Sequence, residues 1–313
     1  MSVWLPTSPC TPEACAGHEG RTASVPHAVL RLTGAVALIL LGILGAPPVR
    51  LLPAGPRHAV VRAWSAALVR AFGIRITVHG SPGRRGGRLL VANHISWLDI
   101  PLVAAVMPSR MLAKSDIRDW PVLGRLAGRA GTLFIERDRI RALPATVTTM
   151  TRALLAGDRV AVFPEGSTWC GRAQGAFRRA AFQSALDAMV PVQPVHLAYL
   201  RPDGSPAGAP AFVGDDPLTA SLWRIARARG IRAEVTLLPR IPPGRHTDRR
   251  DLAAAAQRAV TGRASERTPR TALPGQTTGP SATDRDSAKR PAASVHHWVS
   301  SSPAAASSFR TPS

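Results

Sequence analysis

Leu89-Leu90-Val91-Ala92-Asn93-His94-Ile95-Ser96-Trp97-Leu98-Asp99 decides how this chain is read. A short apolar run of strand length stops, and an imidazole and a carboxylate come next, five positions apart. Five residues of α-helix turn a side chain through roughly 500°, so His94 and Asp99 would not share a helical face. They meet only if the chain leaves a strand, turns and then starts a helix. In that geometry the carboxylate fixes the imidazole tautomer. It also stabilises the imidazolium that forms when the ring takes a proton from a hydroxyl. Backbone N–H groups of the His94 turn are the natural guess for oxyanion donors.

The spacing alone is weak, because His246 and Asp251 repeat it. That pair comes after Ile241-Pro242-Pro243-Gly244-Arg245, with no strand ending and no Asn before the His. It reads as a helix start, with Thr247 as N-cap and acidic residues in the first turns. His94 is set apart by the blocks downstream of it. Gly131-Thr132-Leu133-Phe134-Ile135-Glu136-Arg137 ends an apolar run on charge. Arg159-Val160-Ala161-Val162-Phe163-Pro164-Glu165-Gly166-Ser167-Thr168 ends another on Pro-Glu-Gly. Val190-Pro191-Val192-Gln193-Pro194-Val195 is a third short run, held extended by its prolines. In open α/β sheets such strand ends, facing one way, form the ligand crevice.

In this order and spacing the four blocks resemble the motifs of the glycerolipid acyltransferases, of the 1-acyl-glycerol-3-phosphate (lysophosphatidic acid) acyltransferase type. The match covers roughly residues 60 to 240, and Lys114 to Gly124 is similar to the family's linker between its first two motifs. The resemblance implies a general base at His94 with Asp99 as its partner. It implies a phosphate ligand at Arg137, with Gly131 and Phe134 in the same motif. It assigns the glycerol-phosphate portion to Glu165 and Gly166, beside Ser167, and an acyl or acceptor pocket to Pro191 and Pro194. The donor would be an acyl-CoA or acyl carrier protein thioester, with no metal or redox cofactor. One departure stands out: Ala180 occupies a position where the family usually has Gly, which leaves other lyso-lipid acceptors, such as lyso-ornithine lipid, open.

The residues support part of this without the family. No G-x-S-x-G nucleophile setting is present, so direct attack by the acceptor hydroxyl is expected in place of an acyl-enzyme. An imidazole near its natural pKa suits proton removal at neutral pH. A guanidinium at Arg137 matches phosphate as a bidentate fork, although a solvated arginine is the plain alternative. Glu165, between Pro164 and Gly166, reads otherwise as a turn residue exposed to water.

The chain has 313 residues, a formal net charge of +21 and a pI of about 11.8. The tail from Gly262 carries seven basic and three acidic residues, so most of the charge lies on the first 261. A basic domain favours anionic partners: lipid headgroups, coenzyme A phosphates, an acidic carrier protein or nucleic acid. Nucleic acid is not expected as a partner. Phe and Tyr total eight, and none interleave with Arg as a stacking platform would. A catalytically silent lipid-binding protein is a further alternative, against which the presence of both His94 and Asp99 argues. Three cysteines are too few for a disulfide framework, and Cys10 and Cys15 with nearby His18 fit no zinc spacing, so no metal is expected.

Residues 1–27 read as a flexible polar arm, and 28–56 as an apolar membrane-anchoring segment. The apolar stretch Leu32–Ala46 would form about 22 Å of helix, ended by Pro47 and Pro48. That is short of the roughly 30 Å hydrocarbon core, so a tilted span, a re-entrant helix and an interfacial anchor all fit. Arg50, Arg57, Arg62 and Arg70 after it favour a cell-membrane protein with its next domain on the cytoplasmic side. Residues 57–261 read as the catalytic domain, a mixed α/β fold with a central sheet flanked by helices. Strands are predicted at 74–79, 88–92, 132–136, 159–163, 192–198 and 231–237. Helices are predicted at 98–107, 121–130, 138–156, 174–189, 217–229 and 246–261. Residues 262–313, rich in Ser, Thr, Pro and Ala, read as a disordered tail.

Overall fold

The computed structural model describes residues 8–83, 86–119, 123–136 and 139–267. Seven strands form the sheet: β1 (Arg75–His79), β2 (Arg88–Ala92), β3 (Arg110–Lys114), β4 (Leu133–Ile135), β5 (Arg159–Val162), β6 (Val192–Leu200) and β7 (Arg232–Leu237). Their order across the sheet is β1-β7-β6-β2-β5-β3-β4. Every neighbouring pair is parallel except β6 and β7. Strands β2, β5, β3 and β4 therefore all end at one edge. The predicted mixed α/β architecture is the observed one.

Alternation on β2 explains its central place. Leu90 and Ala92 face one apolar core, and Leu89 and Val91 face the other. All five residues are buried, as expected of a strand with helices on both faces. One face is covered by α2 (Val25–Leu51), α3 (Ala54–Ala71), α4 (Asp99–Val106) and α8 (Leu218–Arg227). On the other face lie α6 (Leu143–Leu155), α7 (Gln183–Asp187) and α9 (Arg249–Arg267). Two shorter helices, α1 (Pro12–Cys15) and α5 (Leu123–Arg129), complete the set.

Several expected elements are revised. Strand β3 is absent from the sequence-based expectation: Met111, Leu112 and Ala113 are helix-favouring residues, but pairing with β5 and β4 overrides local preference. Within 174–189 only Ala180–Asp187 is helical. The preceding loop is held by other bonds, Phe177 N–H to the Gln257 side chain and Arg178 N–H to the Pro164 carbonyl. Asp248, not Thr247, caps α9, accepting from the N–H groups of Arg250 and Asp251. Helix α9 continues to Arg267, so 262–267 do not belong to a disordered tail, while 268–313 lie outside the described residues.

The N-terminal region departs furthest from expectation. Helix α2 starts at Val25 and runs through Pro47 and Pro48 to Leu51, about 40 Å of helix. A proline in a helix leaves the carbonyl four residues earlier without its donor. For Pro47 that carbonyl belongs to Ile43, and the Arg129 guanidinium donates to it at 2.8 Å. The helix is tied along the domain at two further points. Arg31 donates to the carbonyls of Ala226 and Ala228, and the Trp64 indole donates to that of Leu38. Ala28 and Ala35 face inward, while Leu30, Leu41 and Leu44 are 61–74% exposed. Residues 8–24, expected to be flexible, lie against the domain. Cys10, Ala16 and Ala23 are buried, and the Ala23 N–H bonds to the Arg227 carbonyl.

Candidate active site

His94 sits two residues beyond β2, at the edge where β5, β3 and β4 also end. Strand β6 outlasts β2: Ala92 pairs with Val195, and β6 continues to Leu200. Asn93 fills the gap as a side-chain substitute for strand pairing. Its amide donates to the Leu197 carbonyl at 3.0 Å and accepts from the Leu197 N–H at 2.8 Å. The chain then turns, and Asp99 opens α4.

Asp99 is fully buried and accepts four hydrogen bonds. His94 Nδ1 lies 2.8 Å from Oδ2, and the Ile95 and Ser96 N–H groups donate to the same oxygen at 2.6 and 2.8 Å. The Tyr199 hydroxyl donates to Oδ1 at 2.7 Å. Burial, then the facing carboxylate, pushes the Tyr199 phenol well above its usual range, so it stays a donor. With Nδ1–H given to a carboxylate, Nε2 of His94 is the free basic nitrogen. The ring stacks on Phe163, centroids 4.1 Å apart, and its side chain keeps 18% exposure.

Glu165 lies just after β5 in a turn closed by the Gly166 N–H to the Phe163 carbonyl, with Gly166 at φ 76°. It is buried, not a solvated turn residue, and its Oε2 accepts the His94 N–H at 3.0 Å. Burial pushes its carboxyl up to about 8, against the weaker pull of the His94 and Gly175 N–H groups; the nearby Asp99 charge adds to the rise. The same loop is fastened to the His94 turn by the Trp169 N–H to the His94 carbonyl, at 2.7 Å. The Thr168 hydroxyl and the Phe212 carbonyl add a further bond. Ser167 Oγ is buried with no partner among the described residues.

The structure thus brings His94, Asp99 and Glu165 together, with Gly166 and Ser167 in the adjoining turn. Other expected site residues lie elsewhere. Gly131 precedes β4, and its carbonyl is bonded by Arg110 at the opposite edge of the sheet. Pro191 sits one residue before β6, opposite the start of β2 and roughly 20 Å of strand from His94. Pro194 is inside the sheet, paired with Val91. Phe134 is on β4, three strands from β2, with the Arg118 guanidinium 4.5 Å over its ring. Arg137 lies outside the described residues. His246 lines a separate apolar cavity with Met189 and Ile241, at the start of β6 and away from His94.

The expected oxyanion donors need correction too. The N–H groups of His94, Ile95 and Ser96 are all taken by carboxyl oxygens of Glu165 and Asp99. Sequence reasoning also misses Tyr199 and Asn93. Tyr199 is the chain's one tyrosine, set in an apolar strand, and that is the available signal. Asn93, immediately before His94, distinguishes that histidine from His246 in the sequence but shows no role there.

Comparison with known proteins agrees with this geometry. Residues 75–198 match the family model described as Acyltransferase. Over 204 residues the chain is 39% identical to a lyso-ornithine lipid O-acyltransferase of Pseudomonas aeruginosa, covering 65% of this chain and 78% of that protein. It is 36% identical over 184 residues to a 1-acyl-sn-glycerol-3-phosphate acyltransferase of Neisseria gonorrhoeae, covering 58% and 71% respectively. The fold is similar to a solved 1-acyl-sn-glycerophosphate acyltransferase of Thermotoga maritima. That likeness has a TM-score of 0.59 at 19% identity, over 77% of this chain and 95% of that one. With a sheet-edge imidazole held by a buried acid and relatives matched over most of their length, the chain belongs to the glycerolipid acyltransferase family.

Proposed function

We propose that this protein moves a fatty acyl group from an acyl-CoA or acyl carrier protein thioester to the free hydroxyl of lysophosphatidic acid, giving phosphatidic acid. The observation that carries the reading is the 2.8 Å bond from His94 Nδ1 to the buried Asp99, which leaves Nε2 as the base. As the acceptor oxygen attacks the thioester carbonyl, Nε2 takes the hydroxyl proton and the new C–O bond forms. The tetrahedral intermediate then collapses, the C–S bond breaks, and the leaving thiolate recovers the proton from the imidazolium. Asp99 stabilises that imidazolium. Glu165 holds the His94 backbone, and the turn at Gly166 and Ser167 adjoins the reacting groups. Arg137, two residues beyond β4 in sequence, is assigned to the acceptor's phosphate.

A second acceptor, lyso-ornithine lipid, is left open by Ala180 and is supported by the lyso-ornithine lipid O-acyltransferases among the relatives. Catalysis at a membrane is supported by the exposed apolar side of α2. Because the helix is tied along the domain at three points, we place it in one leaflet, with the catalytic domain on the cytoplasmic side where the donors are made.

The test uses detergent-solubilised protein, a labelled acyl thioester and each lyso-lipid in turn. His94→Ala should lower the rate by about 10² or more. Near-full activity in that variant refutes the base. Preference for lyso-ornithine lipid over lysophosphatidic acid selects the second acceptor.

A further inference from the structure

The chain has three cysteines, and the fold brings all three to one point. In the N-terminal arm Cys10 precedes α1 and Cys15 is its last residue, and Cys170 lies in the loop after Glu165. Their sulfur atoms all lie within 4.8 Å of one another, and none is in a disulfide. Cys10 and Cys170 are buried, and Cys15 is partly open. The surrounding backbone makes room for this meeting. A Cβ on Gly208 would stand 2.7 Å from the Cys15 carbonyl oxygen and 2.4 Å from that of Gly17. Gly171, beside Cys170, takes φ 81°, which a side chain rarely adopts. Backbone N–H groups of Arg172 and Ala173 are directed at the Cys170 sulfur.

We propose that Cys10, Cys15 and Cys170 form a three-thiolate site for a thiophilic cation of the zinc or copper(I) class, stapling the N-terminal arm to the catalytic loop. Zinc–sulfur bonds of about 2.3 Å put ligand sulfurs about 4 Å apart, so the observed spacing needs only a small contraction. Each thiol releases its proton to water on binding. Three thiolates on a divalent ion leave a net charge of −1, on a chain that is otherwise strongly basic. Cys15 is partly open, so water can complete a tetrahedron. The ion would not take part in acyl transfer. It would fix the loop whose Trp169 N–H holds the His94 carbonyl, and so set the stability of the arm and loop. Sequence spacing hid the site because the third ligand comes from more than 150 residues away.

The experiment uses the full-length protein in detergent, reduced and stripped with a chelator, then titrated with Zn²⁺ and with Co²⁺ as a spectroscopic probe. About one equivalent of zinc should bind with release of protons, and cobalt should give a thiolate-to-metal charge-transfer band. Cys170→Ser and Cys15→Ser should each weaken binding by about tenfold or more. Cys15→Ser, at the partly open position, serves if Cys170→Ser fails to fold. Zinc should raise the unfolding temperature of the wild type and not of a folded variant. Failure of the folded, reduced wild type to retain zinc while its three thiols react freely overturns the proposal. A disulfide between any two of the three, found without reductant, overturns it as well. Neither outcome touches the acyl-transfer reading, which rests on His94 and Asp99.

Discussion

Replacing Glu165 by Gln removes one titration while keeping the side chain's shape. Burial raises this carboxyl from an ordinary 4.5 to about 8. Between those values the folded chain holds a proton that the unfolded chain has released. Stability is therefore full below about pH 4.5, falls as pH rises, and levels off above about 8. A gap of about 3.5 pH units at about 1.4 kcal/mol each gives a cost of roughly 3–5 kcal/mol at alkaline pH. Gln still offers an amide oxygen to the His94 N–H but cannot charge. The measurement is thermal or urea unfolding of wild type and Glu165→Gln in mild detergent, from pH 4 to 9. The difference in stability should rise by that amount in favour of Gln across the window and be flat outside it. At about 2–4 °C per kcal/mol, the variant's melting temperature should gain some 6–20 °C on the wild type between pH 4 and pH 9. A difference that stays within about 0.5 kcal/mol from pH 5 to 9 refutes the assignment of a neutral, buried Glu165.

Tyr199→Phe takes a donor from a buried carboxylate and should cost about 2–3 kcal/mol in urea unfolding; no loss would mean that Asp99 does not depend on it. In Asp99→Asn, the Ile95 and Ser96 N–H groups keep the amide oxygen facing His94, so the tautomer survives; the charge is lost, and the Tyr199 hydroxyl must turn to accept from the amide nitrogen. The rate constant should fall by about 10²–10³ with the fold intact on circular dichroism, and a loss under about fivefold would show that imidazolium stabilisation matters little. Leu41→Arg with Leu44→Arg charges the exposed side of α2 and should shift the protein from the membrane pellet to the soluble fraction, at a cost of up to about 2.5–3.5 kcal/mol per charge. Unchanged sedimentation with membranes would place the docking face elsewhere.

The features legible in the sequence are local. Six of seven strands carry short apolar or alternating runs, and the His94–Asp99 turn comes directly after one of them. The features that escape depend on partners far along the chain. Strand β3 exists because β5 and β4 flank it, not because Met-Leu-Ala favours extension. Pro47 and Pro48 read as stops, yet Arg129, more than 80 residues away, supplies the donor that one of them removes. Gly131 and Pro191 enter the expected site by motif membership, which carries no information about which end of a strand a residue occupies. Strand direction does carry it. In parallel β2, β5 and β6, residues before a strand and residues after it lie at opposite edges.

The unequal lengths of β2 and β6 are what hold the proposed base in place. Had both strands stopped together, the His94 turn would have had no wall beside it. Because β6 runs five residues past Val195, its Leu197 backbone catches Asn93, and Tyr199, two residues on and on the same face, reaches Asp99. The acid is then held on one side by the strand and on the other by the N–H groups of its own turn. With all four donors in place, Asp99 has little freedom to rotate. In the proposed reaction it therefore orients the ring, and the proton goes to the ring nitrogen that faces away from it.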